Sequence, residues 1–116
     1  MKLIRIIIMT AVLALYFNSN VIAGNKNQHM VEAINHAQEA KTHGEAGHAK
    51  VLLEHVQESL THAKAAEGEL KSEAREHITE SIKHLNEAVT HAKQDHADVA
   101  TKHVEEALTH MRASEK

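Results

Sequence analysis

Histidine recurs at a fixed seven-residue spacing along this chain of 116 residues. The twelve histidines form four trios, and within each half of the chain the two trios are five residues apart. The trios are His29, His36 and His43; His48, His55 and His62; His77, His84 and His91; and His96, His103 and His110. Seven residues make two turns of an α-helix, with a rise of about 10.5 Å and a drift of about 20°. Each trio is therefore predicted to place its imidazoles along one side of a helix.

Apolar residues follow the same heptad. When histidine is assigned to position g, position a carries Met30, Ala37, Val56, Ala63, Ile78, Leu85, Val104 and Met111. Position d carries Ala33, Ala40, Leu52, Ser59, Ser81, Ala88 and Ala107, and position e carries Ile34, Leu53, Leu60, Ile82, Val89 and Leu108. An apolar stripe on a, d and e is typical of a bundle helix, and the alternation typical of strands is absent. Because alanine and serine dominate position d, the core is expected to be thin.

Three breaks divide the pattern into four helices. They fall at Gly44 to Gly47, at Gly68, and at Gln94 and Asp95, where Asp95 is expected to cap the next helix. The predicted helices span residues 27–43, 47–66, 70–91 and 95–113. Short connections favour antiparallel neighbours, so we predict an all-α fold, an antiparallel up-down-up-down four-helix bundle. An extended pair of hairpins, or a dimer of hairpins, is the alternative.

The two halves of the chain are similar to each other. Residues 29–65 align with residues 77–113 at an offset of 48 residues, with 18 of 37 positions identical. Short phrases such as EAKTH, EAVTH and EALTH recur within both halves. The sequence therefore indicates that the bundle is built from a duplicated helical hairpin.

The first residues have the pattern of an export signal. Lys2 and Arg5 precede an apolar run of about 12 residues from Ile6 to Phe17, shorter than the ~20 of a membrane span. We expect a signal peptide over residues 1–23, cleaved before Gly24, and a mature domain over residues 24–116 outside the cytoplasm. An uncleaved membrane anchor is the alternative. After cleavage, no stable membrane association is expected.

Composition narrows the chemistry of the mature domain. The chain has no cysteine, which excludes both disulfides and thiolate metal sites. Its formal net charge is −3 with histidine neutral, and loss of Lys2 and Arg5 makes it more negative. A negative surface disfavours nucleic acid and anionic membranes as partners and favours cations. A protein partner is not identified by these features.

The register of the histidines pairs them across each predicted hairpin. In an antiparallel helix pair, residues whose numbers have a constant sum lie opposite each other. In the first half, the pairs with a constant sum are His29–His62, His36–His55 and His43–His48. In the second half, they are His77–His110, His84–His103 and His91–His96. Histidines on one helix are about 10.5 Å apart, too far to share an ion through two bonds of about 2 Å. Metal sites are therefore expected between helices, at up to six rungs.

Glutamates accompany these histidines at helical spacing. The candidate ligands, each four residues before a histidine, are Glu32, Glu39, Glu58, Glu80, Glu87 and Glu106. Residues four apart share a helix face, so such a pair can offer one oxygen and one nitrogen to the same cation. A mixed nitrogen and oxygen set suits Cu(II), Ni(II) or Zn(II), and the general affinity order favours Cu(II). The same glutamates also fit a simple role in helix solubility.

Other functions are weighed against metal binding. A pH-responsive structural protein is the main alternative, because twelve imidazoles titrating near pH 6.5 would change its charge strongly. Haem binding lacks a Cys-x-x-Cys-His motif, and no nucleophile constellation indicates an enzyme. Met30 and Met111 offer thioether ligands for Cu(I), but their a positions favour core packing.

The chain resembles the small metal-binding protein family, which consists of short, histidine-rich periplasmic bacterial proteins. The resemblance rests on the repeated EA-x-T-H phrases, the size of the chain and its lack of cysteine. The resemblance spans the whole chain. It implies a periplasmic four-helix bundle that binds several divalent ions, copper above all, in metal buffering or detoxification. It also implies that the twelve histidines are the metal ligands, whereas the glutamate assignments rest on helix spacing alone.

Overall fold

The computed structural model describes residues 27–116, which form four helices and no strand. The helices are α1 (Gln28–Glu45), α2 (Ala49–Glu69), α3 (Ser72–Lys93) and α4 (Ala97–Ser114). The all-α prediction is thereby confirmed. The predicted signal peptide over residues 1–23 and its cleavage site lie outside the described residues.

The helix ends differ slightly from the predicted ones. Gly44 and Gly68, which were expected to lie at breaks, instead lie within the last turns of α1 and α2. The connection between α2 and α3 falls at Leu70 and Lys71. In a helix interior, glycine lowers stability by about 1 kcal/mol relative to alanine. Both glycines instead lie in the terminal turns of their helices.

The turns within the two hairpins have the same geometry. Gly47 and Asp95 adopt left-handed conformations, with φ of 79° and 62°. The next residue of each turn donates a backbone hydrogen bond of 2.9 Å, from His48 to the His43 carbonyl and from His96 to the His91 carbonyl. This pattern is a Schellman motif, in which the residue after the helix takes the left-handed conformation. The expectation that Asp95 caps α4 is therefore wrong, because Asp95 ends α3 and His96 is the N-cap, without a side-chain cap bond.

The core follows the heptad assignment. Every residue assigned above to position a or d is buried, including Met30 and Met111. At position e, Leu60 and Leu108 are buried, while the other residues are partly buried and pack against the core. The large, fully buried side chains are Leu52, Val56, Ile78, Leu85, Val104 and Met111. The remaining interior is mostly alanine, as expected for a thin core.

The four helices pack as a bundle of two hairpins. The first hairpin joins α1 and α2, the second joins α3 and α4, and these two contacts are the most extensive. Contacts of α2 with α3 and of α1 with α4 complete the bundle. Within each hairpin, paired residues run in opposite directions along the two helices. The up-down-up-down order of all four helices stays a prediction. Among residues 27–116, no helix has the length and apolarity needed to cross a membrane.

At Gly44, α1 lies close to Leu52 of α2 and Thr101 of α4. A Cβ atom placed on Gly44 would lie 2.0 Å from Thr101 Oγ1 and 2.5 Å from Leu52 Cδ1. In the described part of the chain, nothing lies within 4 Å of a Cβ placed on Gly68. Alanine substitutions at the two glycines therefore separate the effect of packing on stability from the effect of helix propensity.

Replacement of Gly44 by alanine is expected to destabilise the protein. Overpacking costs roughly 1–3 kcal/mol, which outweighs a gain in helix propensity of up to about 1 kcal/mol. Urea unfolding followed by circular dichroism measures the difference. Gly68→Ala is the matched control and is expected to be neutral or stabilising. Equal behaviour of the two variants would contradict the close approach at Gly44.

Candidate metal centre

Small residues bring the two helices of each hairpin close together. In the first hairpin, the Ser59 hydroxyl donates a hydrogen bond of 2.7 Å to the Ala33 carbonyl. In the second, Ser81 donates a bond of 2.8 Å to the Ala107 carbonyl. Both serines are fully buried. So short a side chain reaches the backbone of the neighbouring helix only when the helices nearly touch, and this proximity places their flanking imidazoles side by side.

Six histidine pairs face each other across the hairpins. In the first hairpin the ring centroids are 5.6 Å apart in His29–His62, 5.8 Å in His36–His55 and 6.0 Å in His43–His48. In the second they are 5.9 Å apart in His77–His110, 5.9 Å in His84–His103 and 6.1 Å in His91–His96. The two Nδ1 atoms are 3.3 Å apart in His29–His62 and 3.5 Å apart in His36–His55. The constant-sum pairs are therefore neighbours in the fold.

Diagonal contacts join these pairs into continuous columns, which the sequence reasoning missed. The rings of His36 and His62 stack with centroids 5.8 Å apart, and those of His43 and His55 stack at 5.5 Å. The second hairpin repeats the arrangement with His84–His110 at 5.6 Å and His91–His103 at 5.4 Å. Each central imidazole consequently has two imidazole neighbours on the opposite helix. The sequence contains a signal for these contacts. In each hairpin the residue numbers of the diagonal pairs also have a constant sum, which is seven higher than the sum for the opposed pairs.

Three groups of histidine and glutamate could hold a metal ion. They are Glu32, His36 and His62; Glu39, His43 and His55; and His84, Glu87 and His103. Within each group the possible ligand atoms all lie within 4.8 Å of one another. The first two groups use diagonal histidine pairs, whereas the third uses a directly opposed pair. The ligand sets of the first hairpin thus differ from the rungs expected from the sequence.

The third group has a further carboxylate beside it, that of Glu106. His84 Nδ1 lies 2.8 Å from Glu106 Oε2 and 3.9 Å from Glu87 Oε2. His103 Nδ1 lies 2.8 Å from Glu87 Oε2 and 3.5 Å from Glu106 Oε2. Two atoms that bind one ion at about 2.0–2.1 Å lie about 2.8–3.4 Å apart for angles between perpendicular and tetrahedral. The two contacts of 2.8 Å, from His84 to Glu106 and from His103 to Glu87, lie in this range, whereas the contacts of 3.5 and 3.9 Å lie outside it.

Buried ring nitrogens support the fit of a cation at this group. The Nδ1 atoms of His84 and His103 are shielded from solvent, and within residues 27–116 neither makes a hydrogen bond of acceptable geometry despite the nearby oxygens. Glu32 Oε2 in the first hairpin and His91 Nδ1 in the second are buried in the same way. Buried polar atoms are normally satisfied, and an unsatisfied one calls for a partner. A metal ion would supply that partner through the nitrogen lone pairs.

The other candidate ligands occupy different surroundings. Among residues 27–116, Glu58, Glu80 and Glu106 belong to none of the three groups. Glu80 accepts a hydrogen bond of 2.6 Å from Lys83. His48 and His96 are exposed at the N-caps of α2 and α4, although each ring contacts its opposed partner.

Glu69 is a further carboxylate near the histidines that the sequence reasoning missed. Its Oε2 accepts a hydrogen bond of 2.6 Å from the Asn27 side chain, and its Oε1 lies 3.8 Å from His29 Nε2. Glu69 follows His62 by seven residues, so it occupies the position at which the histidine series of α2 would continue. Extending the seven-residue spacing one step beyond His62 would have identified Glu69.

A family model described as small metal-binding protein matches residues 1–114. The chain belongs to the small metal-binding protein family. No curated protein matches it. Membership of this family, together with the three histidine and glutamate groups, supports a metal ion as the ligand in general.

Burial changes the protonation of the central pair in the first hairpin. Desolvation lowers the pKa of His36, and the nearby His55 lowers it further, against the opposing effect of Glu58. Desolvation also lowers the pKa of His55, with Glu39 opposing it and His43 adding to it. A lowered pKa favours the neutral imidazole, which is the form that binds metal.

Acid is therefore expected to destabilise the metal-free protein. The lowered pKa values mean that the unfolded chain takes up protons at His36 and His55 before the folded chain does. Stability is thus fully present above the unfolded value of about 6.5 and is lost as the pH falls from there through the folded values. Urea midpoints between pH 7.5 and 5.5 test this. His55→Gln should flatten the dependence more than His96→Gln, an exposed control. A midpoint that stays constant or rises towards pH 5.5 would contradict the shifts.

Proposed function

We propose that this protein binds and buffers several divalent transition-metal ions in the periplasm, with Cu(II) preferred, and so limits their toxicity. Imidazoles from both helices of each hairpin hold the ions, and the neighbouring glutamates assist them. The metal is cargo in this proposal, and the protein is not an enzyme. The signal-like residues 1–23 support the location outside the cytoplasm.

The observation that carries the proposal is the convergence of His84, His103, Glu87 and Glu106. Two buried nitrogens without hydrogen-bond partners face two carboxylates within 2.8 to 3.9 Å. An ordinary solvated histidine surface would leave these nitrogens in contact with water. The arrangement therefore favours an ion over a purely polar surface.

The donor types support Cu(II) over other ions. Imidazole nitrogen with carboxylate oxygen suits borderline divalent ions, and affinities of such sites rise along the first transition series to copper and fall at zinc. The chain has no cysteine, and the Met30 and Met111 thioethers are buried in the core. Soft ligands for Cu(I) are therefore absent from the three groups of the described residues.

Calorimetric titration of the metal-stripped protein with Cu(II), Ni(II) and Zn(II) at pH 7.5 tests the proposal. We expect several equivalents of copper to bind, more tightly than nickel or zinc. At pH 5.5 binding should weaken strongly, because protons compete for imidazole nitrogen below a pKa of about 6.5. Absence of binding beyond one weak equivalent would overturn the proposal. It would leave a pH-responsive structural protein, favoured by the lowered pKa values of His36 and His55, as the better candidate.

Removal of the opposed pair in the second hairpin is expected to remove one site. The double variant His84→Gln and His103→Gln deletes both imidazoles of the third group, so copper stoichiometry should fall by about one equivalent. Lys102→Gln, an exposed change on the same helix, is the control for altered charge and should leave the stoichiometry unchanged. An unchanged stoichiometry in the double variant would show that copper binds elsewhere.

A further inference from the structure

The two hairpins differ in charge at one position beside otherwise similar imidazoles. Asn35 in α1 corresponds to Lys83 in α3 at the 48-residue offset. Each precedes a central histidine, His36 or His84, and each follows a glutamate by three residues. In the first hairpin that glutamate is Glu32, and in the second it is Glu80.

Glu32 is placed to bind an ion together with two imidazoles. It forms a group with His36 and His62, whose rings are stacked. Its Oε1 accepts a hydrogen bond of 3.0 Å from Gln28, while its Oε2 is buried and has no hydrogen-bond partner among residues 27–116. The carboxylate therefore has one anchored oxygen and one oxygen available to a cation.

Glu80 has the same imidazole neighbourhood but a different partner. His84 and His110 stack at 5.6 Å, much as His36 and His62 do at 5.8 Å. The Lys83 ammonium, however, lies 2.6 Å from Glu80 Oε1 and lowers the pKa of that carboxyl. Among residues 27–116, Glu80 forms no group with His84 and His110. The stacking of the imidazoles is thus similar in the two hairpins, whereas the pairing of the carboxylate differs.

We propose that Lys83 weakens metal binding at Glu80, His84 and His110, so that the two hairpins present different sets of sites. The ammonium competes with the ion for the Glu80 carboxylate and repels a divalent cation at the adjacent imidazoles. The neutral Asn35 does neither to Glu32, His36 and His62. The inference rests on the proposed metal binding and names the residue that makes the halves unequal.

The size of the effect is set by exposure. The Lys83 and Glu80 side chains are 63% and 45% exposed, so solvent screens their interaction. Exposed ion pairs of this kind are weak, and a bound ion displaces the lysine without unfolding the helix. Lys83 therefore tunes affinity by up to about fivefold and does not abolish binding.

Exchange of the two residues tests the inference. Copper titrations of the metal-stripped full chain at pH 7.5 compare the wild type with Lys83→Asn and Asn35→Lys. Lys83→Asn should strengthen one class of site by up to about fivefold. Asn35→Lys should weaken one class by a similar factor. Substoichiometric Cu(II) should broaden the Glu80 and His110 amide signals more in Lys83→Asn than in the wild type. This broadening locates the strengthened site.

Two controls separate site chemistry from general charge. Lys102→Asn removes the same charge from an exposed position of α4 and should not produce the gain. Lys83→Arg keeps the pairing with Glu80 and should match the wild type. Circular dichroism of each variant verifies that the helices persist.

The outcomes distinguish the inference from the proposed function. If the wild type binds several copper ions but Lys83→Asn and Lys102→Asn behave alike, the role of Lys83 is overturned and metal binding stands. If the wild type binds no more than one weak equivalent, both are overturned.

Discussion

The close approach of the two helices within each hairpin is the constraint on which the rest of the structure depends. Helix axes pack about 8–10 Å apart, and the residues at the contact decide where in that range they lie. Alanine and serine fill the contact here, and Ser59 and Ser81 bond directly to backbone carbonyls across it. Leucine at these positions would fill more core but would separate the helices. The imidazoles at the flanks would then no longer face each other within reach of one ion.

This constraint links binding to stability. A core of alanine with only a few large side chains buries little apolar surface per residue, and burial is the main source of folding free energy. An ion that binds only the folded form at a hundred times its Kd adds about 2.7 kcal/mol. That amount is a substantial part of the 5–15 kcal/mol typical of whole domains. The small residues that weaken the core also create the groups through which a ligand can restore stability.

The sequence predicted those features that depend on periodicity. Heptad positions identified the buried residues, and the constant sums identified the opposed histidines, because both follow from helix geometry alone. Features that depend on individual side chains were missed. The left-handed conformation of Asp95 follows from how α3 ends, and the diagonal stacking of His36 on His62 depends on ring orientation. The grouping of Glu87 and Glu106 around His84 and His103 likewise depends on which rotamer each glutamate adopts.

The two halves keep the same imidazoles and differ in what surrounds them. Residues 29–65 and 77–113 carry the same formal charge with histidine neutral, so total charge does not distinguish the hairpins. The arrangement of charge does. Glu80 is paired with Lys83, whereas Glu32 retains a buried oxygen without a hydrogen bond, and in the second hairpin the carboxylates converge on His84 and His103 instead. An array of identical ligands can thus acquire sites of unequal affinity through neighbouring charges, while every imidazole stays in register.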